Sequence, residues 1–309
     1  MKSILLLCAI VTWLPSSGQL VQLKEVQEYR VMAKYYKQQM VWNSACYAYG
    51  KFAENKKYAN PYDLLDYSCC CLKNNDTGRF TKYLSRAIEE GVDTTFINRF
   101  YRKVTTNEKN YLDNFINEKF ESLRNVFLST HDTALIATLK SMADRDQVGR
   151  GPMEKLAAKD PTGWTKSPAY DSLASLQNPA DSVNYFLSMQ LFELGRFPGY
   201  HNCGAAAADF NLPLLHLDKA YVDWDKVFKI LKQAELAGDI DPSQLAAIVD
   251  RHYLRLANNP CYYYGSLKWG DHAFFDCENV DKLRAEIGLE SLRTEYERQK
   301  RALPACYGL

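Results

Sequence analysis

Residues 60–91 read NPYDLLDYSCCCLKNNDTGRFTKYLSRAIEEG, and this stretch decides the fold. Asn60-Pro61 and Gly91 punctuate it, and between them Leu64, Tyr67, Ser68, Cys71, Phe80, Leu84 and Ala87 recur at helical spacing. The run Asn74-Asn75-Asp76-Thr77-Gly78 ends one helix and starts the next. The result is a helix–turn–helix unit. A looser copy precedes it, with residues 29–38 as one helix and 44–54 as the other. Such units bury their apolar faces only against neighbours, so residues 94–127 are expected to supply a capping helix pair.

The alternation of large and small residues in this segment resembles the tetratricopeptide-type repeat of roughly 34 residues, although Phe80 stands where a small residue is usual. That resemblance implies a concave surface that receives a protein or peptide partner. The expected fold class is mainly α, with a tetratricopeptide-like region over 19–128 and a mostly helical domain over 129–309.

Residues 1–18 read as a signal peptide. Lys2 precedes an apolar run from Ile4 to Leu14, and Pro15-Ser16-Ser17-Gly18 places small residues before an expected cleavage at Gln19. The run of about 11 residues is short of the roughly 20 that a membrane span requires. Leu7 precedes Cys8 where a lipoprotein signal needs a small residue, which argues against a lipid anchor. Export to a periplasmic or extracellular compartment is expected. The 38 Lys and Arg nearly balance the 37 Asp and Glu, so no large excess charge is present to hold nucleic acid. A composition that is 47% hydrophobic and 13% aromatic is that of a folded chain.

Beyond the leader lie Cys46, Cys69, Cys70, Cys71, Cys203, Cys261, Cys277 and Cys306, an even number that permits disulfides in an exported chain. No C-x-x-C pair occurs. Most of the cysteines are expected to be small buried apolar residues, and Cys261 with Cys277 is the pairing to test first.

The second region opens at Asp132 or Thr133 as an N-cap before Ala134, Leu135, Leu139 and Met142. Residues 151–179, rich in Gly, Pro, Ser, Asp and Lys, read as a long surface excursion. Helical patterns return over 181–194, 203–217, 224–237 and 242–257, the last with Asp241 as N-cap and Pro242 at the first position. Residues 261–276 read as a hairpin or an irregular loop, and a helical tail over 278–300 is interrupted at Gly288.

Several residues here can carry chemistry. Asp146 and Arg150 share a helix face with Gln147 beside them; the arrangement is equally that of an exposed salt bridge, and Gly149 and Gly151 can end the helix there. His216 closes an Ala-rich helix, as a hydrogen-bonded core residue or as a base near neutral pH. His216 with Asp218, His252 with Asp250, and Asp271-His272 supply nitrogen and oxygen ligand types, but in no recognised metal spacing, so no metal and no cofactor are expected. Of Asp250-Arg251, one side chain should reach inward while the other braces a loop, and Tyr264-Gly265-Ser266 reads as a turn or as a phenol and hydroxyl facing a cleft. Cys203 near His201 has the residue types of a thiolate and its base, but the neighbouring Gly204 and alanines point to close packing. No nucleophile elbow, phosphate loop or dinucleotide fingerprint is present.

Asp146-Gln147-x-x-Arg150, Gly195-Arg196-Phe197-Pro198, Leu214-Leu215-His216, Asp250-Arg251, Tyr264-Gly265-Ser266 and Leu283-Arg284-x-x-x-Gly288-Leu289 follow one another in the C-terminal half. In this order and spacing they resemble the bacterial domain of unknown function family 6624, over about residues 135–296. The chain departs from that pattern at Cys261-Tyr262-Tyr263, where a Gln before Tyr-Gly is typical, and at Ser266, where Thr is usual. The resemblance implies no particular activity. Two functions are therefore expected in parallel. One is a binding or interaction protein with a helical-repeat surface and a polar cleft that uses Gln147, Arg150, His216, Asp250, Arg251 and Tyr264. The other is a hydrolase-like enzyme with His216 as general base, Asp146 orienting it or a metal, and Arg150 or Arg251 stabilising negative charge.

Overall fold

The computed structural model describes residues 17–101, 104–195, 197–217, 223–255, 260–267, 273–304 and 306–307. Most of the signal-peptide reading, together with Arg196, Asp218, Asp271 and His272, lies outside the described residues. The described chain is almost entirely α-helical, and its N-terminal part is a stack of paired helices.

The first pair is α1 (Ser17–Gln38) with α2 (Trp42–Phe52), and the second is α3 (Pro61–Lys73) with α4 (Thr77–Glu89). Local chemistry fixes the second pair. Asn60 accepts from Tyr62 N at 3.0 Å and from Asp63 N at 2.9 Å, Asp63 returns the bond to Asn60 N, and Pro61 takes the first helical position. Asp76 caps α4 by accepting from Arg79 N at 2.9 Å. Helices α5 (Thr94–Phe100) and α6 (Thr106–Thr130) close this end of the stack, as expected of a capping pair. Tyr49, Phe52, Leu64, Leu65, Phe80, Leu84 and Ile88, all at most 1% exposed, form its core.

A second apolar core gathers residues from α7 (Thr133–Lys159), α8 (Pro168–Glu193), α9 (Tyr200–Cys203), α10 (Ala207–Leu215), α11 (Trp224–Ala237) and α12 (Pro242–Leu254). The short helices α13 (Val280–Glu286) and α14 (Leu292–Arg298) follow, separated at Gly288 as the sequence indicates. Two features join the cores. Buried Arg30 on α1 pairs with Asp63 of α3 at 2.7 Å and with Asp241, the N-cap of α12, at 3.1 Å. At Gly238, where φ is +82°, a Cβ would lie 1.9 Å from the Lys57 carbonyl oxygen, so only glycine admits this approach.

Four expectations need correction. Residues 151–179 lie at the surface as expected, but as helix rather than as an irregular excursion. Helix α7 continues through Gly149, Gly151 and Pro152, and α8 starts at Pro168 rather than near Asp181. Pro152 removes one helical N–H, but Leu139, Met142, Asp146 and Gly149 are buried just before it and hold the helix against its neighbours. Ser167, accepting from Tyr170 N at 3.2 Å, and Pro168 at the first helical position start α8.

Residues 203–217 are not one helix. At Gly204 φ is +54°, Ala205 N donates to the Glu90 carbonyl at 2.7 Å, and the chain turns against α4 before resuming as α10. Of the two readings of residues 261–276 the hairpin is excluded, because β1 (Cys261–Tyr262) and β2 (Ala273–Phe274) pair in parallel, with Cys261 opposite Ala273. Finally, Cys277 pairs with Cys306 rather than with Cys261, which is a buried thiol. Leu303 and Tyr307 pack on a small cluster of Val280, Leu292 and Tyr296, and this folds Cys306 back over Cys277.

The remaining cysteines, Cys46, Cys69, Cys70, Cys71, Cys203 and Cys261, are all buried thiols, in keeping with their reading as small apolar residues. Among the described residues, no helix is long and apolar enough to cross a membrane.

Candidate functional site

Helices α7 and α8 meet along two complementary stripes. On α7, Leu135, Leu139, Met142, Asp146 and Gly149 are buried at alternating steps of four and three, which is one helix face. On α8, Gln177, Asp181, Asn184 and Ser188 are buried at the same spacing, so the facing stripe is polar. Gly149 lets the helices approach closely. A Cβ there would lie 2.7 Å from the Leu173 carbonyl oxygen and 2.9 Å from Gln177 Cβ. Gln177 Oε1 accepts from Gly149 N at 2.8 Å, and Asn184 Nδ2 donates to the Met142 carbonyl at 2.9 Å.

Between the stripes sits a network of charges. Arg150 donates from Nη1 and Nη2 to the two carboxylate oxygens of Asp181, both at 2.8 Å, a bidentate pair. The same Nη1 lies 2.8 Å from Asp146 Oδ1 and 2.8 Å from the Asp146 carbonyl oxygen. Gln177 Nε2 donates to Asp181 Oδ1 at 2.7 Å, and Gln147 Nε2 to Asp146 Oδ2 at 2.8 Å. Asp146 is fully buried, so its carboxylate depends on these partners and on a further one from α10.

That partner comes from the C-cap of α10. His216 Nδ1 lies 2.8 Å from Asp146 Oδ1, and its side chain is 11% exposed. An ionised carboxylate only accepts, so Nδ1 carries the proton and Nε2 the lone pair. Burial lowers the imidazole pKa; the Asp146 hydrogen bond and charge oppose this, while Arg150 and Arg251 reinforce it. The ring is therefore neutral near pH 7, the state a general base requires. Arg251 on α12 stands beside this group. Burial, then the charge of Arg150, brings its guanidinium down to about 10.

The structure thus assembles Asp146, Gln147, Arg150 and His216, with Arg251 within electrostatic reach, and adds Asp181 and Gln177. Asp250 and Tyr264 belong to a different arrangement. Asp250 is fully buried and accepts from the backbone N–H groups of Tyr263 at 2.8 Å, Tyr264 at 2.6 Å and Gly265 at 3.3 Å, and from Ser266 Oγ at 2.7 Å. Its carboxylate organises the turn, with φ +69° at Gly265. Tyr264 is 1% exposed, and its carbonyl accepts from buried Arg284 at 2.7 Å. Of the adjacent pair on α12, Asp250 braces the loop and Arg251 faces the charged network.

His252 stacks on Trp224 with ring centroids 3.9 Å apart, and His201 pairs with Asp239 at 2.9 Å while Cys203 lies in the core. Among the described residues, no three of His, Cys, Asp and Glu gather into a group that could hold a metal ion.

A groove of about 430 Å³ crosses the helix-pair stack between α1 and α3. Lys34 and Lys37 line it from α1, Asp66, Cys69 and Lys73 from α3, Met40 from the turn between the first two helices and Trp42 from the start of α2. Met40 is 59% exposed. Lys37 pairs with Asp66, Lys73 pairs with Glu108 at 2.7 Å, and the Lys73 ammonium also stands 5.9 Å from the Trp42 ring centroid. No family model matches the chain, and no curated protein or solved structure matches it.

Proposed function

We propose that this is an exported interaction protein, periplasmic or extracellular, whose stacked helix pairs bind an acid-bearing segment of a partner protein. The observation that carries the reading is the groove between α1 and α3, where Lys34, Lys37 and Lys73 surround an exposed thioether and an indole, with Asp66 as the acidic residue of the lining. Trp42 and Met40 give a partner apolar anchorage, and with Lys37 held by Asp66 and Lys73 by Glu108 it is Lys34 that favours an acidic residue beside that anchor. The tetratricopeptide-like spacing and the resemblance of the C-terminal half to family 6624 belong to the same reading. Export agrees with the Cys277–Cys306 disulfide, a bond that persists in oxidising compartments.

The test is a titration of the full chain with a Glu/Asp-rich peptide containing Leu and Phe, and with its Lys-rich counterpart. Tighter binding of the acidic peptide, weakened about tenfold or more by Trp42→Ala or Lys34→Glu, supports the assignment. Equal affinity for both peptides, or indifference to both substitutions, rules it out.

A second reading rests on the Asp146–His216 pair. In a hydrolase-like mechanism, His216 Nε2 takes a proton from water and the resulting imidazolium is held by Asp146. Arg251 then steadies developing negative charge, since Arg150 is already engaged by two carboxylates. Unchanged turnover by His216→Ala, on any substrate found by screening, eliminates this mechanism.

A further inference from the structure

Four cysteines sit inside the helix-pair stack, and two of them face each other across a helix boundary. Cys46 on α2 and Cys71 on α3 are 25 residues apart in sequence, and their sulfurs are 3.6 Å apart. Cys71 is fully buried and Cys46 is 8% exposed. Consecutive residues on a helix point about 100° apart, so Cys69, Cys70 and Cys71 present their thiols in three directions. Cys69 lines the groove, while Cys71 meets α2.

We propose that Cys46 and Cys71 are a dithiol–disulfide site, closing into a second disulfide that ties α2 to α3 when the protein meets a disulfide oxidant. Bond formation needs the sulfurs to approach by roughly 1.5 Å, a movement within reach of side-chain rotation and a small helix shift. Cys46 is the attacking group. It has the slight exposure, and the thiol of Cys71, then Asn74 and Arg79, favour its thiolate against burial, bringing it down to about 7. Burial instead pushes the Cys69 thiol up to about 11, and raises Cys70 further.

In the first step the Cys46 thiolate attacks one sulfur of the oxidant RSSR, forming a mixed disulfide and expelling RS⁻, which is protonated. Cys71 then loses its proton and attacks Cys46 Sγ, and the second RS⁻ leaves and is protonated. The protein dithiol plus RSSR gives the protein disulfide plus two RSH, so two electrons pass to the oxidant.

The experiment treats the purified full chain with oxidised glutathione, then denatures it, alkylates free thiols and maps peptides without reduction. The expected result is a Cys46–Cys71 linked peptide and a thiol count lower by two, restored by dithiothreitol, with both changes absent in Cys46→Ala. Recovery of both cysteines fully alkylated after oxidation overturns the proposal. So does a stable glutathione adduct on Cys46, or a link from Cys46 to another cysteine. The linked peptide is read from the unsubstituted chain and the oxidant is supplied, so the outcome depends neither on how a variant folds nor on where the protein resides.

Discussion

Glu235 offers the most quantitative test of the packing. It lies on α11 at 1% exposure, and its Oε1 has no hydrogen-bond partner among the described residues. Burial raises its carboxyl from the ordinary 4.5 to about 8; Lys232 and Lys57 oppose the rise and Asp241 adds to it. Between these two values the native state keeps a proton that the unfolded chain has already lost. Stability from this group is therefore full below about pH 4.5 and is lost as pH climbs towards 8. The slope is about 1.4 kcal/mol per pH unit, which makes roughly 2–3 kcal/mol between pH 5 and pH 7. Glu235→Gln keeps the shape and removes the titration. We expect the variant to be more stable by roughly 3 kcal/mol at pH 7, and the difference to fall below about 1 kcal/mol at pH 5. Urea unfolding at pH 5, 6 and 7, followed by circular dichroism, measures both. Parallel stability curves for parent and variant would refute the reasoning, since a carboxyl ionised in both states contributes no slope.

Other expectations concern the α7–α8 seam and its surroundings. Arg150→Ala leaves Asp146 and Asp181 buried without their shared cation and should cost about 3–5 kcal/mol in denaturant unfolding, with Arg150→Lys recovering little because the bidentate geometry is lost; a cost below about 1 kcal/mol would contradict the pairing. Gly149→Ala forces a Cβ against Leu173 and Gln177 and should lower stability by about 1–3 kcal/mol; a neutral result would mean that the helices can separate freely. Because the His216 pKa is depressed in the native state, its contribution is present above the ordinary 6.5 and lost as pH falls below it, so His216→Gln should flatten the acid limb of the stability curve. Asp250→Ala strips the 263–266 turn of its common acceptor and should release it first in amide hydrogen exchange, ahead of α12.

The sequence discloses the helix pairs because their signals are local. Asn60-Pro61, the Asp76 cap and the apolar recurrence over 64–87 all act within one turn of the residues they organise. Residues 151–179 misled for a physical reason. Gly151, Pro152, Pro168 and Pro179 punctuate their composition, and Gln177 is the one residue among them that is buried, so no apolar pattern marks the helices there. The spacing of four, three and four among the polar residues Gln177, Asp181, Asn184 and Ser188 marks α8 only from its middle onward. Asp146 and Arg150 were legible as an i, i+4 pair, and that pairing did not end the helix at Gly149. His216 joins them across 70 residues, through the C-cap of α10, and no local rule encodes such a meeting. The resemblance grouped Asp250 and Tyr264 with them, but the buried turn separates their roles.

The hydrogen-bond inventory of the charged network divides its residues into two kinds. Asp146 receives Arg150, His216 and Gln147, and Arg150 gives both terminal nitrogens to carboxylates while Gln177 supports Asp181. Groups so committed hold α7, α8 and α10 in one geometry, and disturbing them must appear first as lost stability. His216 differs because the tautomer that satisfies Asp146 leaves a lone pair on the far side of its ring, at the partly exposed edge of the network. Substituting Arg150 and substituting His216 should therefore separate. If the network is only a staple, His216→Gln, which can still donate towards Asp146, should leave every binding or turnover readout intact. If the ring has a chemical role, that readout should fall sharply while the midpoint of unfolding at pH 7 moves little, and Arg150→Ala should show the opposite balance.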